Sequence, residues 1–150
     1  MMTDALLTLS SAQAVTASAV STNTIDLGVA RDLGQGEDLY FSFGVDVAAT
    51  AAGAATVNFQ VITSANANLS SANVVAQTDA IPKTDLTLGR KPIVLCLNSA
   101  VLLALPIGQR YLGVQYTVGT GPLTAGSFTC YVNLEDVGVN KNYPSGFTVA

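Results

Sequence analysis

Hydrophobic and polar positions alternate along much of this chain. Over residues 39–47 the odd positions are Leu39, Phe41, Phe43, Val45 and Val47, with Tyr40, Ser42, Gly44 and Asp46 between them. Val57, Phe59 and Val61 alternate with Asn58 and Gln60 in the same way. Leu112, Val114, Tyr116 and Val118 alternate with Gly113, Gln115 and Thr117, and Phe128, Cys130, Val132 and Leu134 alternate with Thr129, Tyr131 and Asn133. Successive side chains of an extended chain point to opposite faces, so a period of two with one apolar face predicts half-buried antiparallel strands.

Turn-forming residues separate these runs: Gly34-Gln35-Gly36, Ala52-Gly53, Gly119-Thr120-Gly121-Pro122 and Ala125-Gly126. Weaker strands are expected over residues 14–20, 73–77, 93–97 and 101–105. The total of about eight predicts an all-β fold, an antiparallel two-sheet sandwich of jelly-roll type, with an up-and-down barrel as the alternative. No stretch makes a long helix; residues 4–9 suit one turn or two, and residues 64–72 another short piece. The small-residue run 48–55 reads equally as a loop tip or as a close contact to a neighbouring chain. Nothing resembles a linker, so residues 25–150 are expected to form one domain, with residues 1–24 as a tail packed on it or on a neighbour.

Composition removes most chemistry. The 150 residues are 49% apolar and only 11% charged, which suits a chain with a core to bury rather than a disordered one. Six basic against ten acidic residues give a net charge of -4, which argues against nucleic acid as a partner, because phosphate binding needs clustered Lys and Arg. There is no histidine, which removes the commonest general base and metal ligand together. No Ser-x-x-Lys spacing occurs. The acidic pairs Glu37-Asp38 and Glu135-Asp136 read as solvated strand ends, although a glycosidase would need two such carboxyls converging on one bond. Asp32, Glu37 and Asp38 match no calcium loop. The expectation is a protein without cofactor or metal that is not an enzyme.

Cys96 and Cys130 sit in apolar runs and read as two buried thiols rather than a disulfide. The uncharged run 92–109 is interrupted by Asn98 and Ser99 and stopped by Pro106, too short for a spanning helix of about 20 residues, so no membrane is expected as a partner. The amino terminus has Asp4 where a signal peptide would carry basic residues.

The residues best suited to contact a partner are Arg110 and Tyr111 at the head of a strong strand, and Tyr143 and Phe147 near the carboxyl end, since Arg and aromatic side chains anchor interfaces. The alternative for the first two is that Tyr111 caps the sandwich and Arg110 pairs with an acidic neighbour. Leu6, Leu7 and Leu9 give the tail an apolar character that suits strand addition at an exposed sheet edge.

The order of segments IDLGVARDLGQGEDLYFSFGVDV, VNFQVITSAN, LPIGQRYLGVQYTVGT, GSFTCYVNLEDV and YPSGFTVA resembles the capsid cement (decoration) proteins of tailed bacteriophages, of the Bordetella-phage type. The resemblance spans residues 25–149. It implies a jelly-roll domain, made in the bacterial host cytoplasm, that sits on the outer surface of the icosahedral head in the virion. It further implies a homo-oligomer, a dimer before a trimer, clamping neighbouring major capsid protein subunits against the pressure of packaged DNA. The alternative function is a β-sandwich module on the virion that binds a carbohydrate or receptor.

Overall fold

In a computed structural model, which describes residues 4–29, 38–98 and 109–134, the four alternating segments are strands. In chain order the strands are β1 (Thr8–Ala14), β2 (Ala19–Val20), β3 (Ile25–Asp26), β4 (Leu39–Thr50), β5 (Thr56–Ser64), β6 (Asn73–Gln77), β7 (Ile81–Pro82), β8 (Ile93–Leu97), β9 (Tyr111–Gly119) and β10 (Ala125–Asn133). Helix among the described residues is limited to two short 3-10 turns, Ala5–Leu7 and Lys83–Asp85. The first is started by Asp4, whose carboxylate accepts from the Leu6 backbone N–H at 2.9 Å.

All pairings are antiparallel and build two sheets. One runs β1-β10-β4-β8, and the other β2-β9-β5-β6, with β3 also on β9 and β7 also on β5. Since β2 and β3 lie along one edge of β9, and β6 and β7 along one edge of β5, they are two interrupted strands. The ten segments therefore trace eight strand paths. The chain changes sheet after β1, β3, β4, β7, β8 and β9, which leaves β1 and β10 adjacent and gives the jelly-roll order.

The core fills the space between the sheets. Phe41 and Phe43 from β4, Val57, Phe59 and Val61 from β5, Leu112, Val114 and Tyr116 from β9, and Phe128 and Cys130 from β10 are all buried there. Four of its aromatic rings pack together: Phe59 meets Tyr116 and Phe128 edge to face at 5.7 and 5.2 Å, and Phe43 lies 5.1 Å from Phe59. Edge-to-face pairs of this kind add about 0.5–1.5 kcal/mol each beyond the area they bury.

Several expectations are corrected. The expected strand over residues 14–20 is two, β1 and β2, because the chain crosses between sheets at 15–18, with the Val15 N–H donating to the Gly126 carbonyl at 3.0 Å. Within residues 1–24, β1 pairs with β10. Leu9, expected to meet a partner, is fully buried in the core. The alternation of β4 fails at Val47, which is exposed while Ala49 is buried. Two register shifts against β10, between Ala125 and Phe128, rotate that part of the strand. Of residues 64–72, Ser64 ends β5 and the rest form turns, not a helix, with Leu69 at φ 58° and Ser71 at φ 52°. Cys96 is exposed on β8 and Cys130 is buried on β10, so only one thiol is in the core and no disulfide joins them. The small-residue run places Ala49 and Ala55 in the core, with the turn 51–54 between them. The expected strand over 101–105 lies outside the described residues.

Candidate partner-contact site

The register assigns every strand terminus to one of two ends of the sandwich. In the four-stranded sheet the start of β1, the end of β10, the start of β4 and the end of β8 share one end, through Thr8↔Tyr131, Asn133↔Tyr40 and Leu39↔Leu97. In the other sheet the end of β3, the start of β9 and the end of β5 share one end, through Asp26↔Tyr111↔Ser64. The short crossings 15–18, 51–55 and 120–124 join the opposite termini of the two sheets. Thr8, Asp26, Ser64, Tyr111 and Asn133 therefore lie at the same end, called here the β9-start end.

Arg110 is built into this end. Its backbone N–H donates to the Ser64 carbonyl at 3.2 Å, and its carbonyl accepts from the Leu27 N–H at 3.0 Å, which ties the residue before β9 to both neighbouring strands. Its guanidinium grips Asp26 with two parallel bonds, Nε to Oδ1 at 2.6 Å and Nη2 to Oδ2 at 2.7 Å. The Gly28 N–H also donates to Asp26 Oδ1, at 2.8 Å. The Arg110 bonds, and then the Gly28 bond, hold the Asp26 carboxyl down at about 2, while the same pairing raises Arg110. The guanidinium carbon lies 5.1 Å from the centre of the Tyr111 ring, a cation–π geometry. Asp26, Arg110 and Tyr111 thus form a fixed, charge-compensated row.

The turn 65–72 flanks this row at the end of β5. Ser64 Oγ donates to the Ser70 carbonyl at 2.6 Å and accepts from the Asn66 N–H at 3.0 Å. The Asn68 side chain accepts from the Ser70 N–H at 3.1 Å. Leu69, 3% exposed, is buried against Gly113 on the outer face of the six-stranded sheet; register partners share a face, and Ile62, paired with Gly113, is fully buried there too. Sequence reading missed this turn because its anchor is a single leucine among Asn, Ala and Ser, which carries no periodic signal. The pairing with Asp26 is the acidic neighbour expected for Arg110 in the alternative reading, and Asp-Leu-Gly at 26–28 is the kind of turn in which an Asp side chain binds the backbone two residues on.

Apolar side chains surround the same end. Leu6 is 84% exposed, Leu134 63% and Leu7 38%, on a 3-10 turn that packs against β10 and at the end of β10 itself. Of the residues singled out from sequence, Leu6, Leu7, Arg110 and Tyr111 are therefore brought to one end, Leu9 is buried in the core, and Tyr143 and Phe147 lie outside the described residues. Glu37 and the Glu135-Asp136 pair lie outside them as well. Among the described residues no group of three His, Cys, Asp or Glu side chains is arranged to hold a metal ion.

A family model described as Bbp16 matches residues 9–132, from the first core leucine to the end of β10. No curated protein matches the chain.

Proposed function

The chain belongs to the Bbp16 family, and from that premise we propose that it is a capsid cement protein of a tailed bacteriophage. The family match, with a name that points to a Bordetella phage protein, is the observation that carries this reading. The order of segments described above, which resembles the phage cement proteins, adds the specific role. On this reading the protein performs no catalysis. It is made in the bacterial host cytoplasm and binds the outer surface of the head, where it clamps neighbouring major capsid protein subunits.

The physical mechanism is avidity. A protomer that binds one capsid subunit modestly gains about 10²–10⁴ in affinity when a homodimer makes the second contact intramolecular. Separating two subunits at that seam then requires breaking both contacts together. A net charge of -4 supports an outer position, since the protein and packaged DNA repel each other. The alternative, a glycan-binding module, calls for an open aromatic platform. At the β9-start end the Tyr111 ring has a guanidinium stacked on it.

The test is co-sedimentation with purified heads that lack the protein, followed by heating heads with and without it. Saturation at a fixed ratio to the major capsid protein, with a higher temperature for DNA release, is the expected result. Binding without a change in release temperature would replace clamping by surface display, and no binding would overturn the reading.

A further inference from the structure

Exposed apolar side chains stand toward both ends of the four-stranded sheet, with opposite charge around them. At the β9-start end are Leu6, Leu7 and Leu134, since Thr8↔Tyr131 and Asn133↔Tyr40 bring the turn before β1, the end of β10 and the start of β4 together. The charged residues of this corner are Asp4, ahead of that turn, and Asp38, ahead of β4. Toward the other end, the Ala49 N–H donates to the Leu86 carbonyl at 2.9 Å and Ile93 pairs with Phe43, so residues 87–92 run along β4 past Val47. Residues 87–90 form a tight turn, closed by the Arg90 N–H on the Thr87 carbonyl at 3.3 Å, with Gly89 at φ 79°. Leu88 at its corner is 69% exposed, and Val47 is 50% exposed. Of the four basic side chains among the described residues, Arg110 is bound to Asp26, while Lys83, Arg90 and Lys91 share the segment that carries Leu88. Among the described residues none of these three is ion-paired; Lys83 and Arg90 donate to the backbone carbonyls of Ala51 and Asp85. Asp85 is the acid within the segment. Asp46 on β4 takes the Thr129 hydroxyl at 2.7 Å, and Asp79 lies between β6 and β7 of the other sheet.

We infer that copies of this chain associate head to tail, the Leu88 corner of one copy against the Leu6–Leu7–Leu134 corner of the next. Leucine then meets leucine, and Arg90 and Lys91 come to Asp4 and Asp38. A two-fold contact through either corner would set it against itself, basic on basic or acidic on acidic, which like-charge repulsion disfavours. The apolar side chains supply the attraction as they leave water, and the charges fix which corner accepts which. Both corners are tied down before the copies meet. The Asp4 carboxylate accepts from the Leu6 N–H at 2.9 Å, and the Arg90 guanidinium holds the other turn to the Asp85 carbonyl at 2.7 Å. That order lowers the entropic cost of the contact. A head-to-tail pair keeps one open corner at each end, so the contact continues into a row or closes into a ring. This inference does not rest on the capsid reading, and it is tested without heads.

The experiment is analytical ultracentrifugation of the full chain over a range of concentration and salt. Wild-type protein should associate as concentration rises and come apart as salt is added, because exposed charges are screened. Asp4→Lys and Lys91→Glu, each studied alone, bring like charges together at every contact and should weaken association about tenfold. In an equimolar mixture the two variants alternate, every contact again brings opposite signs together, and association should return to the wild-type level. Leu88→Ser should abolish association at an unchanged melting temperature. A wild-type protein that stays monomeric at every concentration would overturn the inference. So would a dimer that survives all three variants, which would be built on another surface, or weakening by the single variants with no recovery on mixing. Monomeric wild-type protein that binds poly-glutamate, and loses that binding with Lys91→Glu, would give the Leu88 corner to an acidic partner instead of a second copy.

Discussion

The Ser10 hydroxyl and the Tyr116 phenol share a hydrogen bond inside the sandwich, joining β1 of one sheet to β9 of the other. Both residues are fully buried, so each satisfies a polar atom that water cannot reach. Ser10→Ala or Tyr116→Phe leaves the other hydroxyl buried and unpaired, which costs about 1–3 kcal/mol. The double variant has no orphan and should lose less than the sum of the single losses. Urea denaturation of all four proteins measures this coupling, and strictly additive losses would disprove it.

Burial pushes the Cys130 thiol up, and burial with the nearby Cys130 pushes the Tyr116 phenol up, against a smaller lowering by the Ser10 bond. The unfolded chain releases these protons near the ordinary values of 9.0 and 10.0, and the folded chain holds them longer. Their contribution to stability is therefore complete below pH 9.0 and is lost as pH rises beyond it. Cys130→Val should delay the alkaline loss until the phenol begins to titrate, near 10.0. Thermal melts across this range test it; an unchanged onset would count against the thiol.

At the acid end the sign reverses. Asp26 is held at about 2 against an ordinary 3.8, so its pairing with Arg110 stabilises the fold above 3.8 and is lost as pH falls through about 2. Both side chains are partly exposed, 42% and 45%, which keeps the effect small and sensitive to salt. The direct measurement is the carboxyl carbon shift of Asp26 followed by NMR. In Arg110→Gln its midpoint should return most of the way to 3.8, with the remaining depression due to the Gly28 N–H.

The sheet strands were readable because burial on one face leaves a period of two in the sequence. Residues 73–77 and 93–97 fall where β6 and β8 lie, and the four strong alternations became β4, β5, β9 and β10. What periodicity cannot carry is an interruption. The register shifts that turn Val47 outward leave no mark on the alternation of β4. In β1 the left-handed Ala12 (φ 43°) sits between Ser10 and Gln13, where the pairing with β10 slips, and Leu9 and Ser10 are buried in succession. Leu6, Leu7, Arg110 and Tyr111 of the candidate site stood out in the sequence by residue type alone. That these share one end required the strand order, because they are separated by more than a hundred residues in the chain.

Gly113 and Gly44 make a matched pair of substitutions. Both lie inside strands with ordinary backbone, but a Cβ at Gly44 meets nothing within 4 Å, whereas one at Gly113 drives into Leu69 and Ser21. Gly113→Ala should destabilise by about 1–3 kcal/mol, the range for overpacking a filled site. Gly44→Ala should be neutral or slightly stabilising, since it removes glycine's backbone freedom from a strand. Equal stabilities in urea would show that Leu69 moves aside without cost.

The two thiols should separate cleanly by reactivity. Thiolate is the reactive form, so a thiol that is both exposed and able to ionise reacts first. Cys96 is exposed, while Cys130 is buried on β10 and its ionisation is suppressed by that burial. Iodoacetamide at neutral pH should modify the native protein once, at Cys96, and a second time only in denaturant. Under native conditions the slow second modification should follow the opening of β10, the strand that lies between β1 and β4, and so report the stability of the four-stranded sheet. Variants that weaken the core, such as Tyr116→Phe, should then speed alkylation of Cys130 without altering the rate at Cys96. Rapid modification of both cysteines in the folded protein would contradict the burial of Cys130.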